Sequence, residues 1–366
     1  MTASPTLLIA GGGSGGHLMP ALAIAEGLRH RHPDWRLVLV GAERGVEAKL
    51  LPGRDFPYYL LPFEPIYRRQ WWKNFRWPFL AVRLIAGLGQ LFRKERPTMV
   101  IGTGGFAAGP VVWYARRRGL LTAILEQDAF PGLTTRRLAG RVDTIFLSVP
   151  EAREHLRPAA DTEVVVTGSP IVPPEAGRGP EARRKLGIDP DASVVLVTGG
   201  GQGAVAVNEL VAAWIRKGIP AGVTLLWSTG KGSHERYRPL HDPPRVQVFD
   251  FIDPIADAYA AADLAVTRAG MMTLAELSAW RIPSLLIPLP TSAADHQRKN
   301  ARAHAEAGAG VVVEQEALDG VGLRARVEAM LADRAGLESM AEAAGARGRP
   351  EALDTILNRV EAMIGS

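Results

Sequence analysis

Three glycine-dense turns carry the chemistry that this sequence can offer an anion. Gly11-Gly12-Gly13-Ser14-Gly15-Gly16-His17 follows an apolar run at Thr6–Ala10, and Gly102-Thr103-Gly104-Gly105 closes another at Thr98–Gly102. Gly199-Gly200-Gly201-Gln202-Gly203 follows a third, Ser193–Thr198. Glycines let backbone N–H groups approach a phosphate closely, and a helix that starts at such a turn adds about half a positive charge. One such turn is equally a tight strand-to-helix connection. Three, at equivalent strand ends, point to two phosphate-bearing ligands that meet across a cleft.

His17 ends the first turn. Its ordinary pKa of about 6.5 suits a general base for a hydroxyl nucleophile, although a histidine there also serves as a helix cap or a plain ligand contact. The spacing of Gly11, Gly13 and Gly16 admits a dinucleotide-binding turn too. Against that, the second strand ends Val38-Leu39-Val40-Gly41-Ala42 with no acid before Glu43, so the carboxylate expected on a ribose is poorly placed. Later, Arg268-Ala269-Gly270-Met271-Met272-Thr273-Leu274-Ala275-Glu276 puts an arginine at a strand end and a carboxylate in the following helix. A carboxylate with two oxygens can accept from both vicinal hydroxyls of a ribose; alone, Glu276 is an ordinary surface acid. Asp295-His296-Gln297 with Asn300 opens the helix after Pro288-Leu289-Pro290, where side-chain amides can read sugar hydroxyls. The Asp-x-Asp pattern at Asp189-Pro190-Asp191 straddles a proline in a linker and is expected to be coincidental, so no metal site is expected.

The elements that position these residues alternate along the chain. Strands are predicted at Thr6–Ala10, Arg36–Val40, Thr98–Gly102, Thr122–Glu126, Thr144–Val149 and Glu163–Thr167, then at Ser193–Thr198, Val223–Ser228, Arg245–Phe249, Leu264–Thr267, Ser284–Pro288 and Gly310–Glu314. Most are continuous Val/Ile/Leu runs, the pattern of parallel strands covered on both faces. Helices are predicted between them, at Met19–His30, Asn208–Ile215, Met272–Ala279 and Asp295–Ala307. The stretch 170–190, rich in Pro and Gly, is the expected linker. The fold class is therefore α/β, with two doubly wound parallel-sheet domains facing across a cleft: residues 1–170, residues 171–345, and a last helix in 346–366 that can pack back on the first domain.

A different signal lies in Tyr67-Arg68-Arg69-Gln70-Trp71-Trp72-Lys73-Asn74-Phe75-Arg76-Trp77-Pro78-Phe79-Leu80, which continues to Phe92-Arg93-Lys94 without an acid before Glu95. Indole rings favour a membrane interface and cations favour anionic lipid, while a core helix with a basic outer face gives the same composition. No nucleic-acid motif accompanies it, so no nucleic-acid partner is expected. The formal charge of +5 suits an anionic partner. With no cysteine among 366 residues, disulfides, thiol nucleophiles and thiolate metal sites are excluded. Neither a signal peptide nor a spanning helix is expected.

Taken in order, Gly12-Gly13-Ser14-Gly15-Gly16-His17, Gly102-Thr103-Gly104-Gly105-Phe106, Glu126-Gln127, Gly199-Gly200-Gly201-Gln202-Gly203-Ala204, Arg268-Ala269-Gly270 through Glu276, and Asp295-His296-Gln297 with Asn300-Ala301 resemble the MurG family over nearly the whole chain. These are bacterial N-acetylglucosaminyltransferases of peptidoglycan synthesis. The resemblance implies a GT-B fold and inverting transfer of N-acetylglucosamine from UDP-N-acetylglucosamine to lipid I, giving lipid II, with no cofactor and no metal. It also implies a peripheral protein on the anionic cytoplasmic face of the membrane, and association with a cell-wall synthesis complex. Arg68, Arg69, Trp71, Trp72, Lys73, Phe75, Arg76 and Trp77 would then face lipid.

By the same resemblance, Gly200, Gly201, Gln202 and Gly203 would hold the donor diphosphate and Ile252 would meet uracil through its backbone. Arg268 would support the phosphates and Glu276 would hold the ribose. Gly270, Met271, Met272, Thr273 and Gln297 would line the rest of the donor, bordered by Ser14, Gly15, Gly16 and Asp128. Ser14, Gly15, Gly104 and Gly105 would receive the acceptor diphosphate. His17 would be the candidate base, with Glu126 as a second catalytic group. The chain departs from the family at Leu125 (usually His), Asp128 (usually Asn), Val172 (usually Arg) and Gly201 (usually Ser). Two rivals share the architecture. A UDP-sugar 2-epimerase needs only a sugar nucleotide, and a non-catalytic nucleotide- or lipid-binding derivative would bind UDP without turnover.

Overall fold

The computed structural model describes residues 4–64, 71–175, 177–200, 203–292 and 295–365, without the side chains of Trp71, Lys73 and Asn74. Two compact units divide the chain, one of Met1–Ile171 with Glu351–Ser366 and one of Val172–Pro350.

A strand without polar alternation has two apolar faces to bury, and strand β1 (Thr6–Ala10) shows where they go. Leu7 and Ile9 enter one apolar cluster, Leu8 and Ala10 another, and all four are fully buried. Each fully buried aliphatic side chain of this kind stabilises the fold by about 1.5–3 kcal/mol. Helix α1 (Gly15–Arg31) leads to β2 (Arg36–Ala42), the short α2 (Glu47–Leu50) to β3 (Tyr58–Leu61), and α3 (Trp77–Glu95) to β4 (Met99–Gly102). Then come α4 (Gly105–Arg116), β5 (Leu121–Glu126), α5 (Leu133–Leu138), β6 (Thr144–Leu147) and β7 (Glu163–Val166). The sheet order is β3-β2-β1-β4-β5-β6-β7, parallel throughout. The order reverses between β1 and β4, so the turns after those two strands lie side by side.

The second unit repeats the plan. Helix α6 (Gly179–Lys185) precedes β8 (Ser193–Thr198), α7 (Val205–Arg216), β9 (Val223–Ser228), α8 (His234–Tyr237) and β10 (Val246–Phe249). Helices α9 (Ile255–Ala261), α10 (Met271–Ala279) and α11 (His296–Glu306) alternate with β11 (Leu264–Thr267), β12 (Ser284–Leu286) and β13 (Gly310–Val312). Helices α12 (Gly320–Ala332) and α13 (Arg334–Arg347) follow. The order β10-β9-β8-β11-β12-β13 reverses between β8 and β11. Val195 and Val197 face one core, Val194 and Leu196 the other.

The last helix, α14 (Ala352–Gly365), belongs to the first unit. Its Ile356, Leu357, Val360 and Met363 are buried in the cluster that contains Leu18, Leu22 and Ala25 of α1. Arg31 at the end of α1 donates to Asn358 and Asp354 and pairs with Glu361.

Three local features differ from expectation. Helix α1 starts at Gly15, four residues before Met19, because open N–H groups in a first turn need no helix-forming side chain. Strand β3, between Pro57 and Pro62, escapes prediction: it is an edge strand of four residues, YYLL, whose first tyrosine is exposed. The linker region holds α6, with Pro180 in its first turn, where the missing N–H costs nothing. That helix is tied to α9 by Arg178 and Lys185, both on Asp257.

Candidate functional site

In the first unit the turns after β1 and β4 form one floor. Gly104 and Gly105 both have positive φ, 99° and 75°. A methyl group on Gly105 would collide with the Gly12 carbonyl oxygen, and one on Gly104 would lie 2.6 Å from His17 Nδ1. Only glycine lets the second turn lie against the first with the imidazole between them. His17 is half-buried in the first turn of α1, and its carbonyl accepts a 2.8 Å hydrogen bond from the Thr103 hydroxyl. Gln127 donates to the Thr103 carbonyl at 2.6 Å. One short network thus fixes the base of the histidine.

Ser14 caps α1 without a side-chain bond, and the N–H groups of Gly15 and Gly16 have no acceptor among the described residues. The same holds for Gly104 and Gly105 at the start of α4. These are open donors at two helix N-termini, a setting for an anion.

Glu126 ends β5, almost fully buried. Its carboxylate accepts from the backbone N–H groups of Asp128 (3.0 Å) and Gly132 (3.1 Å), which shapes the loop into α5. Burial first, then the nearby Asp128 charge, push it up to about 7, against the opposing hydrogen bonds from Thr135 and the two amides. Asp128 itself is half-buried on that loop. Leu125 is fully buried in the core, so no polar group is offered there.

On α3, Leu80, Leu84, Leu88 and Leu91 face the core. The other side carries Phe79 and Val82, each 68% exposed, continuing from Phe75 at 74% and Trp72 at 55%. Arg76 is exposed and Trp77 half-buried at the start of the helix. Arg68 and Arg69 lie outside the described residues, as do the side chains of Trp71 and Lys73. No described helix is long and apolar enough to cross a membrane.

In the second unit the turn after β8 leads into α7. Gly200 and Gly203 are described, Gly201 and Gln202 are not. Gly203 packs on the Thr229 carbonyl, which also accepts 2.8 Å from buried Asn208; Asn208 in turn accepts from the Trp227 indole at 3.0 Å. Ile252 is buried just before α9.

Next to this turn, Gly270 caps α10 with no side-chain bond, leaving the N–H groups of Met271, Met272 and Thr273 without an acceptor among the described residues. Arg268 is buried, and its guanidinium donates to the carbonyls of Ile287 (2.9 Å) and Pro288 (3.2 Å) and to Gln315 (2.7 Å). It therefore ties the end of β11 to the chain after β12. Gln297 accepts from the Leu289 N–H at 2.9 Å, and Asn300 donates to the Ala269 carbonyl at 3.5 Å. Glu276 accepts a 2.7 Å hydrogen bond from the Tyr259 hydroxyl through Oε2; Oε1 has no partner among the described residues. Burial lifts Glu276 above the usual carboxylate range, partly offset by that phenol. Among the described residues, no group of three or more His, Asp or Glu is arranged to hold a metal. Val172, the first residue of this unit, is 80% exposed.

Three residues of these sites escape the sequence reading. Thr103 stands among the glycines of the second turn, where its residue type announces no role. Tyr259 precedes its partner by 17 positions, with a strand between. Glu47 is fully buried beneath the first turn, and its one signal was the pair Gly41 and Gly45 just ahead of it.

Family models place the whole. The N-terminal domain of glycosyltransferase family 28 matches residues 7–147, and the C-terminal domain of that family matches 194–356. The UDP-N-acetylglucosamine--N-acetylmuramyl-(pentapeptide) pyrophosphoryl-undecaprenol N-acetylglucosamine transferase of Desulforudis audaxviator is 39% identical, covering 98% of both chains. Among solved structures, Acinetobacter baumannii MurG aligns with a TM-score of 0.76 at 24% identity over 98% of this chain and 99% of its own. A UDP-N-acetylglucosamine 2-epimerase aligns at 0.66 and 15%, over 100% of this chain and 97% of its own. These two structural likenesses speak for the fold; it is the sequence identity that separates transferase from epimerase. With both halves matched and a relative of this identity covered end to end, the chain belongs to glycosyltransferase family 28, among the MurG-type N-acetylglucosamine transferases.

Proposed function

We propose that this protein transfers N-acetylglucosamine from UDP-N-acetylglucosamine to the muramyl sugar of lipid I, with inversion, to give lipid II and UDP. The observation that carries this reading, within a chain of this family, is the imidazole of His17 set between two turns of open N–H groups. Gly15, Gly16, Gly104 and Gly105 receive the acceptor diphosphate, and His17 takes the proton of the attacking hydroxyl. The hydroxyl oxygen forms its bond to the anomeric carbon as the bond from that carbon to the UDP oxygen breaks. UDP departs with the electron pair.

The donor belongs to the second unit. Gly200 and Gly203, with Gly201 and Gln202 between them, serve its diphosphate, and the open amides of Met271, Met272 and Thr273 meet the charge that develops on the leaving group. Glu276 offers Oε1 to the ribose, Ile252 its backbone to uracil, and Gln297 its amide to the sugar. Arg268 spends three of its five N–H donors on Ile287, Pro288 and Gln315, and so braces the phosphate region while supporting it with its charge. Glu126 is the second candidate for proton transfer, with a pKa placed for it, and otherwise shapes the loop that carries Asp128.

The exposed row Trp72, Phe75, Phe79 and Val82, flanked by Arg76, supports peripheral docking on an anionic membrane at its cytoplasmic face. Polar residues at Phe75, Phe79 and Val82 are expected to lower binding to anionic vesicles.

Transfer of labelled sugar from UDP-N-acetylglucosamine to a short-chain lipid I analogue, with EDTA present, tests the whole reading. Labelled disaccharide product is expected. Folded protein that binds UDP and yields no product would overturn it.

A further inference from the structure

Glu47 is a buried acid that the reaction steps above do not use, and the first glycine turn is built around it. Its side chain has no exposed surface. Oε1 accepts from the N–H of Ala42 at 2.9 Å and from that of Gly13 at 3.0 Å, and Oε2 accepts from Gly13 at 3.1 Å. Three separate glycines make room for it: a methyl group on Gly12, Gly41 or Gly45 would collide with the Glu47 side chain. On its other side the turn is stopped by Phe106, whose ring a methyl on Gly13 would strike.

This arrangement fixes which donors the turn can offer. The Gly13 N–H points inward to a carboxylate and is lost to any ligand. The open donors are displaced onto Gly15 and Gly16, where the dipole of α1 adds to them. A turn free to relax would instead let the Gly13 amide rotate outward, and the floor made with Gly104 and Gly105 would lose its shape, because the Gly12 carbonyl is the atom that Gly105 packs against.

We propose that Glu47 is a positioning residue for the transfer reaction: its carboxylate latches Gly13 and Ala42 so that the first glycine turn holds the acceptor diphosphate at Gly15 and Gly16, beside His17. The proposal rests on the functional reading above. It makes Glu47 specific for the acceptor half of the reaction, without a part in donor binding.

The test compares full-length wild type with Glu47→Ala and Glu47→Gln, measuring acceptor KM, donor KM and kcat on the short-chain analogue, and amide exchange at Gly13 and Ala42. Glutamine keeps the volume and one acceptor oxygen, which can still serve both N–H groups. Expected for Glu47→Ala is an acceptor KM raised about tenfold or more, the scale of one lost charge-assisted hydrogen bond. Donor KM should stay within about twofold, and Gly13 and Ala42 should lose exchange protection. Glu47→Gln should restore most of the acceptor KM. An unchanged acceptor KM in Glu47→Ala overturns the latch, and so does a fall in kcat with both KM values unmoved, the mark of a merely structural role. Should Glu47→Ala fail to fold, Glu47→Gln decides: wild-type protection at both amides with wild-type KM supports the latch, and lost protection with wild-type KM refutes it. A wild type that transfers nothing defeats the functional reading, and protection at Gly13 in that same sample then judges the latch alone.

Discussion

In the first unit the glutamate nearest the switch between β1 and β4 commits both oxygens to backbone N–H groups; in the second, Glu276 near the switch between β8 and β11 is held through one oxygen only. The topology is the same, and the turn after the first strand of each pair is glycine-rich; the turn after β11, Arg268-Ala269-Gly270, has one glycine. What differs is where the acid goes. Glu47 spends both oxygens on the first turn, whereas Glu276 has no partner at Oε1 among the described residues. Under the proposed function that oxygen serves the ribose while Arg268, Gln297 and Asn300 shape the surroundings. A doubly wound sheet thus supplies the place for a ligand, and the partners of one carboxylate decide whether that place recognises or merely holds.

Four outcomes would break or sharpen this contrast. The largest concerns His17. Its replacement by alanine should lower kcat roughly a hundred- to ten-thousand-fold while UDP affinity stays put, and equilibrium UDP binding beside steady-state rates separates the two. A variant with near wild-type kcat would remove the base from the first unit.

Glu126 contrasts with Glu276 in the same way, a buried acid whose oxygens are already taken. Its pKa in the folded protein, about 7, stands above the ordinary 4.5. Being raised, it contributes stability that is fully present below about pH 4.5 and is lost as pH rises through about 7, on the order of 3 kcal/mol in all. Thermal unfolding followed from pH 5 to 8 should show that decline in wild type and a flatter profile in Glu126→Gln.

For the second unit, Glu276→Ala should weaken UDP binding about ten- to a hundredfold, and the preference for UDP over 2′-deoxy-UDP should vanish with it. Retained preference would move ribose recognition elsewhere.

The smallest effect belongs to Tyr259→Phe, about three- to tenfold in UDP affinity. Here the pH profile matters more than the size. Burial raises Glu276 and the phenol holds it partly down, so losing the hydroxyl raises it further. If, as proposed, the ionised carboxylate accepts from ribose, affinity should be present at high pH and fall as pH drops, with the fall starting at higher pH in the variant. Titration of UDP binding against pH would show it, and an unmoved profile would reduce Tyr259 to packing.

The layered fold was legible because parallel strands with two buried faces write themselves as unbroken Val/Ile/Leu runs, as Leu7, Leu8 and Ile9 show. Strand β3 was not, since an edge strand of four residues has one covered side and no run to display. Proline misled at 180 because the residue that breaks a helix interior is favoured in a first turn. At the sites, glycine turns and the residues after them could be read locally: His17, Gly104 and Glu276 sit where strand ends put them. Residues that act on those were hidden. Tyr259, Thr103 and Glu47 bond groups that only the fold brings near, and a buried acid in sequence looks like any other acid. Arg268 was legible as a strand-end cation, yet its donors turn to carbonyls that no spacing announces.

The division of labour between the units can be tested most directly by calorimetric titration of UDP into full-length wild type, Glu276→Ala and His17→Ala. The expected result is a Kd raised about tenfold or more by Glu276→Ala and unmoved by His17→Ala, with transfer lowered in both, through donor KM in the first and through kcat in the second. A Kd raised by His17→Ala and left alone by Glu276→Ala would contradict the assignment of donor to the second unit and acceptor to the first.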